Sequence, residues 1–217
     1  MRTVPNSAGP GRTIRQERGY KSYQAFIDTG FKLLELQEFA SITIAELARQ
    51  AGYSVGAFYA RFHSKDEFLE AMVAQHIRER SQARRQLIEN ASKDEFVGSL
   101  IEDLVDWYWR RRGFWRAALM RSVHDPDFWV PIDESAREFL AAIIGRIQTY
   151  AGRRLTRAQT ANVTFAVHMV LGMVNNRIVN RPRPSLIGTE TFARDLARAF
   201  RLIADYDNLV GIAARAD

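Results

Sequence analysis

Apolar residues recur at helical spacing along most of the 217-residue chain, and no segment shows the alternation typical of a strand. The pattern predicts one helix from Lys21 to about Leu36, and three more beginning near Thr43, Ser54 and Ser64. Later helices are predicted over residues 94–112, 114–123, 133–153, 157–179 and 191–204. The stretches HDPDFWVP (124–131) and NRPRPSLIG (180–188) are predicted loops because their prolines interrupt helices. The fold class predicted is therefore all-α.

The first helices carry recognisable end signals. Thr43 and Glu46 have the spacing of a capping box, and Gly52 suits the left-handed conformation that ends a helix. Ser64 is a candidate N-cap for the long fourth helix. Three short helices, the last two joined by a tight turn at Gly52, predict a helix-turn-helix unit.

The third helix is predicted to have one buried face and one exposed face. The apolar residues expected to pack together across the three helices are Phe26, Ile27, Phe31, Leu47, Ala48, Tyr53, Phe58 and Phe62. The opposite face would then show Ser54, Val55, Ala57, Tyr59 and Arg61. A surface of this kind fits a major groove about 12 Å wide.

The small residues Gly56 and Ala57 would let this face approach base edges closely. Thr43, Tyr59 and Lys65 are hydrogen-bond donors of the kind that hold phosphate oxygens. Arg61 could bind a phosphate or donate to a guanine, and the sequence leaves both open. A helical adaptor that docks another protein on the same face is the alternative without DNA.

The segment TIAELARQAGYSVGAFYARFHSKDEFLEAM, residues 43–72, resembles the DNA-binding signature of tetracycline-repressor-type (TetR-like) regulators. The resemblance implies phosphate contacts for Thr43, Tyr59 and Lys65, and base-facing positions for Val55, Ala57 and Ser54. Val55 and Ala57 stand where such regulators often carry polar residues, so contact with thymine methyl groups is more plausible here than bidentate hydrogen bonding. The resemblance also implies a homodimer that binds a palindromic operator in double-stranded DNA.

Domain boundaries follow from the composition and from this signature. Residues 1–19 are rich in Gly, Pro and Arg and are interpreted as a flexible basic arm, residues 20–66 as the helix-turn-helix domain, and residues 67–217 as a larger helical domain for ligand binding and dimerisation. Net charge is +6, and residues 1–65 hold nine Lys and Arg against five Asp and Glu. Arg12 or Arg15 could enter a minor groove, and a solvated tail is the alternative.

The larger domain is interpreted from its hydrophobic pattern. The helix over 157–179 is apolar nearly all round, which requires cover on two sides, and a dimer seam formed with the next helix would supply one. Aromatic and Met residues could line a cavity for an apolar or aromatic effector, although ordinary core is the alternative reading. The candidate ligand-binding residues are Trp107, Trp115, Met120, His124, Phe128, Trp129, His168 and Met169. Arg110–Arg112 is a solvated helix end or a site for an anionic effector.

Several classes of function find no support in the sequence. There is no Cys, and the four His lie far apart, without the spacing of a zinc motif, so no metal or cofactor is expected. No buried acid–base pair or nucleophile motif favours a helical enzyme. No stretch is apolar enough for a membrane span, and a cytoplasmic location is expected. The sequence thus predicts a transcriptional regulator that binds a specific DNA sequence and responds to a ligand. A repressor is favoured over an activator.

Overall fold

The computed structural model describes residues 10–180 and 191–213, with side chains from residue 17 onward within those ranges. These residues form α-helices and two short 3-10 turns (Phe39–Ser41 and Pro126–Trp129), and they contain no strand. The helices are α1 (Pro10–Leu36), α2 (Ile44–Ala51), α3 (Val55–Tyr59), α4 (Lys65–Asn90), α5 (Phe96–Arg110), α6 (Arg112–His124), α7 (Val130–Ala151), α8 (Arg157–Asn180), α9 (Phe192–Ala204) and α10 (Tyr206–Val210). The all-α prediction is confirmed.

The chain divides into two compact units, the first ending at Gln75 and the second beginning at His76. In the first unit an aromatic cluster fills the space between α1, α3 and α4. Phe58, which is fully buried, lies with its ring centroid 5.5 Å from that of Phe26 and 5.6 Å from that of Phe68. Phe62 closes the cluster at 5.1 Å from both Phe58 and Phe68. Edge-on and tilted rings at these separations are the arrangement that aromatic quadrupoles favour.

Helices α1 and α4 cross closely at Gly30. A Cβ atom at this position would lie 2.5 Å from Cζ of Phe68 and 3.0 Å from Sδ of Met72. Both of these side chains are buried, and Phe68 is held by the aromatic cluster. Gly30 is therefore required by the packing of the first unit rather than by backbone conformation.

In the second unit, α9 lies against α8 and α5 and supplies a regular apolar stripe. Phe192, Leu196, Phe200 and Ala204 are spaced by four residues and are all buried. Leu202, on the opposite side of α9, is 72% exposed. The apolar stripe of α9 thus faces the core of its own unit.

The buried Tyr206 fastens the end of the chain to the start of α5. Its hydroxyl donates a hydrogen bond of 2.7 Å to the carbonyl of Lys93, and burial raises the pKa of the phenol above its ordinary value. The ring stacks on Phe96 at 6.3 Å.

Among the described residues no helix has the length and apolar content of a membrane span.

Three sequence predictions differ from the structure. Helix α1 begins at Pro10, so residues 10–19 of the predicted flexible arm are helical; proline fits a first helical position, and the Arg, Gln and Glu residues that follow are good helix formers. The rest of the predicted arm (residues 1–9) and most of the predicted loop 180–188 lie outside the described residues.

The predicted loop 124–131 contains the 3-10 turn and the first residues of α7, because Pro131 stands in the first helical turn, where no N–H is needed. Tyr53 is 38% exposed rather than buried, although its ring reaches Phe26 at 5.6 Å.

Candidate nucleic-acid interface

The start of α2 is fixed by the side chains of Thr43, Glu46 and Gln37. The Thr43 hydroxyl oxygen accepts a hydrogen bond of 3.1 Å from the backbone N–H of Glu46, as an N-cap does. The Glu46 carboxylate does not complete the predicted capping box. It accepts hydrogen bonds of 3.1 Å from the side-chain amide of Gln37, and thereby joins α2 to the end of α1.

The turn between α2 and α3 sets the direction of α3. Gly52 ends α2 with φ +77° and ψ +28°, a left-handed conformation that favours glycine. Ser54 then caps α3, because its Oγ accepts a hydrogen bond of 3.1 Å from the backbone N–H of Ala57. Both end signals predicted from the sequence are present, and they hold a short helix whose propensity alone would not keep it folded.

Helix α3 presents the face that the sequence predicts. Phe58 is its buried anchor, whereas Val55 is 40% and Tyr59 is 52% exposed. Ser54 and Gly56 are also exposed, and Ala57 is half-buried. Side chains of α3 that point outward therefore contribute little to the core of the unit and are available to a partner.

Gly56 has no packing reason to be glycine. Outside the backbone of its own helix, the nearest atom of the described residues to a Cβ placed there would be Oγ of Ser54 at 3.8 Å, and the backbone is helical. Glycine in a helix costs about 1 kcal/mol relative to alanine. The missing side chain leaves a depression on the exposed face, which is the feature that close approach to a groove would require.

The first unit also has two exposed residues with hydroxyl groups, Tyr59 on α3 and Thr43 at the start of α2. Tyr59 is oriented by an edge-on contact between its ring and Phe58, at 5.6 Å. Thr43 is exposed, and its oxygen is an acceptor in the α2 cap, so its own O–H hydrogen is still able to bond outward. Both groups can donate to a phosphate oxygen.

Lys65, the third expected phosphate contact, lies at the first position of α4. Its Nζ donates a hydrogen bond of 3.2 Å to the carbonyl of Ala40 and lies 4.5 Å above the ring of Phe39. Burial lowers the pKa of the Lys65 ammonium, and the nearby Asp66 opposes this effect. An ammonium has three donors, so the bond to Ala40 fixes the group and leaves donors for an anion.

Arg61 has a position that the sequence did not indicate. Its Nε donates a hydrogen bond of 3.1 Å to the hydroxyl of Ser22, and Nη1 donates to the carbonyl of Ala60. The guanidinium lies 3.0 Å from the place where a Cβ of Gly19 would stand. Arg61 is thus folded against α1 and joins it to the end of α3. No sequence signal connects residues 22 and 61.

Helix α4 begins with a double cap. Ser64 Oγ accepts a hydrogen bond of 3.0 Å from the backbone N–H of Glu67, and the Glu67 carboxylate accepts one of 2.6 Å from the backbone N–H of His63. The same carboxylate lies 3.1 Å from Nδ1 of His63. The cap predicted at Ser64 is present, and it orients the residues that follow α3.

The residues expected to bind an effector are distributed over the second unit. Trp115 and Phe128 are buried; Trp107, Trp129 and Met169 are half-buried; Met120, His124 and His168 are exposed. The rings of Trp115 and Trp129 are 6.3 Å apart, and Trp107 and Trp115 both contact His76. Met120 and His124 lie instead on the exposed end of α6, and His168 lies on an exposed face of α8. The eight residues therefore do not surround one cavity.

His76 is a buried residue that the sequence analysis did not select. Its Nδ1 accepts a hydrogen bond of 3.3 Å from Nε1 of Trp107, and its ring stacks on Phe114. Burial, together with three neighbouring arginines (Arg84, Arg111 and Arg80), lowers the pKa of His76 to about 2. The imidazole is neutral at every pH at which the protein would work.

The run Arg110–Arg112 is not uniformly solvated. Arg110 is exposed and pairs with Asp106, one helical turn earlier, whereas Arg111 is half-buried with its Nη2 3.1 Å from a Glu79 carboxylate oxygen. Arg112 lies over the ring of Trp109 at 5.3 Å. Within the described ranges, no three acidic or His side chains gather where they could hold a metal ion.

Comparisons with known proteins agree with this geometry. Residues 26–72 match the family model described as bacterial regulatory proteins, tetR family. The chain is 30% identical over 94 residues to the uncharacterized HTH-type transcriptional regulator YwcC of Bacillus subtilis (strain 168), an alignment that covers 40% of this chain and 42% of YwcC. It is 26% identical over 147 residues to YvaF of the same organism, described in the same words, covering 67% of this chain and 75% of YvaF.

Solved structures extend the likeness beyond the first unit. A TetR-family transcriptional regulator from Bordetella parapertussis 12822 matches with a TM-score of 0.58 at 16% identity, covering 84% of this chain and 94% of the other. A tetR-family regulator from Streptomyces coelicolor matches with a TM-score of 0.59 at 16% identity, covering 90% and 85%. At this identity the matches show the fold alone. The family model covers the helix-turn-helix of the first unit, and the solved structures share the fold of the chain, so together they support a TetR-like regulator.

Proposed function

We propose that the protein is a homodimeric, sequence-specific DNA-binding regulator of transcription, acting as a repressor that a small molecule releases from a palindromic operator. The observation that carries the proposal is the exposed face of α3, which consists of small and apolar residues around Gly56 and is held rigid by the caps at Ser54 and Ser64. The first unit would be the DNA-binding domain, and the second would bind the effector and form the dimer.

Contacts are assigned by the chemistry of each exposed side chain. Tyr59, Thr43 and Lys65 would bind phosphate oxygens and fix the register of α3 in the groove. Val55 and Ala57 would meet base edges, with thymine methyl groups as their natural partners. Arg61 is bound to Ser22 and Ala60, so its role would be to position α3 rather than to read a base.

Exposed apolar side chains on α8 and on α9 support the dimer. Phe165 is 63% and Leu202 is 72% exposed, and Phe165 lines a shallow groove of about 500 Å³ together with Leu155 and Ala161. Fully burying one Phe contributes about 1.5–3 kcal/mol, so a partner subunit that covers this surface gains a substantial free energy. Phe165→Glu should convert dimers to monomers in sedimentation experiments.

The two α3 helices of one dimer would enter successive major grooves about 34–36 Å apart. An effector that favours another separation of the DNA-binding units would weaken operator binding, and a coupling free energy of about 1–3 kcal/mol corresponds to a roughly 5–150-fold change in affinity. This mechanism needs no direct contact between effector and DNA.

Selection of bound duplexes from a random pool tests the proposal. A palindromic motif is expected, and the affinity should fall linearly with the logarithm of salt concentration. Tyr59→Phe should weaken binding to all duplexes about equally, whereas Val55→Ala should relax the preference at one base position in each half-site. Failure to enrich any duplex at low salt, with a folded dimer in hand, would instead favour the protein-docking adaptor.

A further inference from the structure

The second unit contains a cavity between α4 and α7. Its volume is about 240 Å³, and its apolar wall is formed by Ile88, Phe139 and Ala142. Arg84 and Ser135 also line it, and both of them, with Phe139, border a second space of about 30 Å³ that reaches His76 and Trp115. Arg84 therefore stands at the junction of the two spaces.

Arg84 differs from Arg80 and Arg111 in having no carboxylate paired with it. Arg80 pairs with Asp103 through two contacts, of 3.2 and 2.5 Å, and Arg111 pairs with Glu79. Within the part of the chain whose side chains are described, Arg84 has neither a hydrogen bond nor an ion pair, and its Nε is buried without an acceptor. Its guanidinium lies over the ring of Phe139 at 4.5 Å.

An arrangement of this kind is costly in the absence of a ligand. A buried donor without an acceptor loses its hydration and gains no hydrogen bond in return, and the loss is larger when the donor is charged. Burial lowers the pKa of the Arg84 guanidinium, and the nearby Arg80 adds to this effect, while Tyr108 and Asp103 oppose it. A guanidinium nevertheless stays protonated in proteins, so the cavity contains a fixed positive charge.

We propose that this cavity binds a monocarboxylate with a compact apolar body, its carboxylate on Arg84 and Ser135 and its body against Phe139 and Ile88. This inference rests on the proposed effector response, and it identifies the chemical class of the effector. A planar guanidinium matches a carboxylate through two parallel hydrogen bonds, which would satisfy the buried Nε.

The volume of the cavity and the charges around it restrict the ligands that it can bind. At about 30 Å³ for each water-sized group, a cavity of 240 Å³ holds roughly eight such groups. The cavity rim carries the exposed residues Arg85, Glu89 and Glu138, and its two carboxylates disfavour ligands with several negative charges. One guanidinium and one hydroxyl suit one carboxylate, and the apolar wall suits an aromatic ring or a short alkyl chain.

The test is thermal unfolding of the full-length protein, without DNA, in the presence of benzoate, phenylacetate or hexanoate. Each acid is compared with its own amide, which has nearly the same shape and no charge. At least one acid should raise the midpoint while its amide does not, because only the carboxylate pairs with Arg84. No shift with any of the three acids at millimolar concentration would overturn the proposal, and so would an equal shift with inorganic phosphate.

Substitutions then connect the shift to Arg84. Arg84→Met should weaken acid binding at least tenfold, and the free variant should be no less stable than the natural protein because a half-buried, unpaired charge is removed. Arg84→Lys keeps the charge but loses the two-bond geometry, so binding of the acid should weaken several-fold and the preference over the amide should remain. Arg137→Met is the matched control, since Arg137 is exposed on α7 and bonds only to the carbonyl of Asp133. Loss of the shift in this control would contradict the assignment.

Operator binding is measured separately, so that the two proposals fail in different ways. Acid binding through Arg84 with unchanged DNA affinity would leave the site standing and would refute its role in release. Duplex binding without any acid binding would refute the site and leave the DNA-binding proposal intact.

Discussion

Replacing Gly30 with alanine tests the packing of the DNA-binding unit most directly. The new Cβ would stand 2.5 Å from Cζ of Phe68, about 1 Å or more inside the 3.5–4.0 Å separation at which carbon atoms attract. Phe68 cannot move away without disturbing Phe58 and Phe62, whose rings lie 5.6 and 5.1 Å from its own. Overpacking a well-filled core costs about 1–3 kcal/mol, and an approach as close as 2.5 Å places this substitution at about 2–3 kcal/mol, of which helix propensity returns about 1 kcal/mol. The net loss of stability expected is about 1–2 kcal/mol.

Gly145→Ala is the matched control, because Gly145 is exposed within α7 and, beyond its own helix backbone, no atom of the described residues would lie within 4 Å of the new Cβ. This variant should gain about 0.5–1 kcal/mol, so the two substitutions should have opposite signs. Urea unfolding followed by circular dichroism measures both. All four tryptophans lie beyond residue 76, so their fluorescence reports the second unit and should respond little to Gly30→Ala. A Gly30→Ala protein as stable as the natural one would refute the close crossing of α1 and α4.

Three further predictions concern single side chains. The pKa of His76 is about 2 in the folded protein and 6.5 in the unfolded chain, so only the unfolded chain takes up a proton when the pH falls below 7. The free energy of unfolding should therefore fall by about 1.4 kcal/mol when the pH is lowered from 7.5 to 5.5. His76→Gln should remove this part of the pH dependence in urea titrations. Gly56→Leu should leave the unfolding midpoint within a few degrees but abolish duplex binding in fluorescence anisotropy, and intact binding would show that α3 does not enter the groove. Arg61→Gln should cost about 1 kcal/mol of stability through the lost bond to Ser22 without changing the salt slope of DNA binding, and a reduced slope would restore a phosphate role.

Local features of the fold could be predicted from the sequence, because their causes lie within a few residues of each other. The caps at Thr43, Ser54 and Ser64 each accept from the backbone amide three residues ahead, and the left-handed Gly52 needs only its own missing side chain. The apolar spacing around Phe58 likewise indicates which face of α3 is buried.

The long-range contacts could not be predicted. Arg61 bonds to a hydroxyl 39 residues away, and Lys65 bonds to a carbonyl 25 residues away, so neither role is visible in a local pattern. The position of Arg84 is a stronger case. Arg84 is notable because the carboxylate of Asp103 is already paired with Arg80, which leaves Arg84 without a partner of its own among the described residues. A sequence does not show which charged side chains pair with each other.

The short α3 helix has a consequence for how such a protein changes over generations. One buried side chain, Phe58, secures it, whereas Val55 is exposed and Ala57 is half-buried. If these two residues meet base edges as proposed, exchanges there would alter the preferred base sequence with little loss of stability. The operator preference of the protein could then change over generations, or be altered in the laboratory, while the rest of the molecule stays the same.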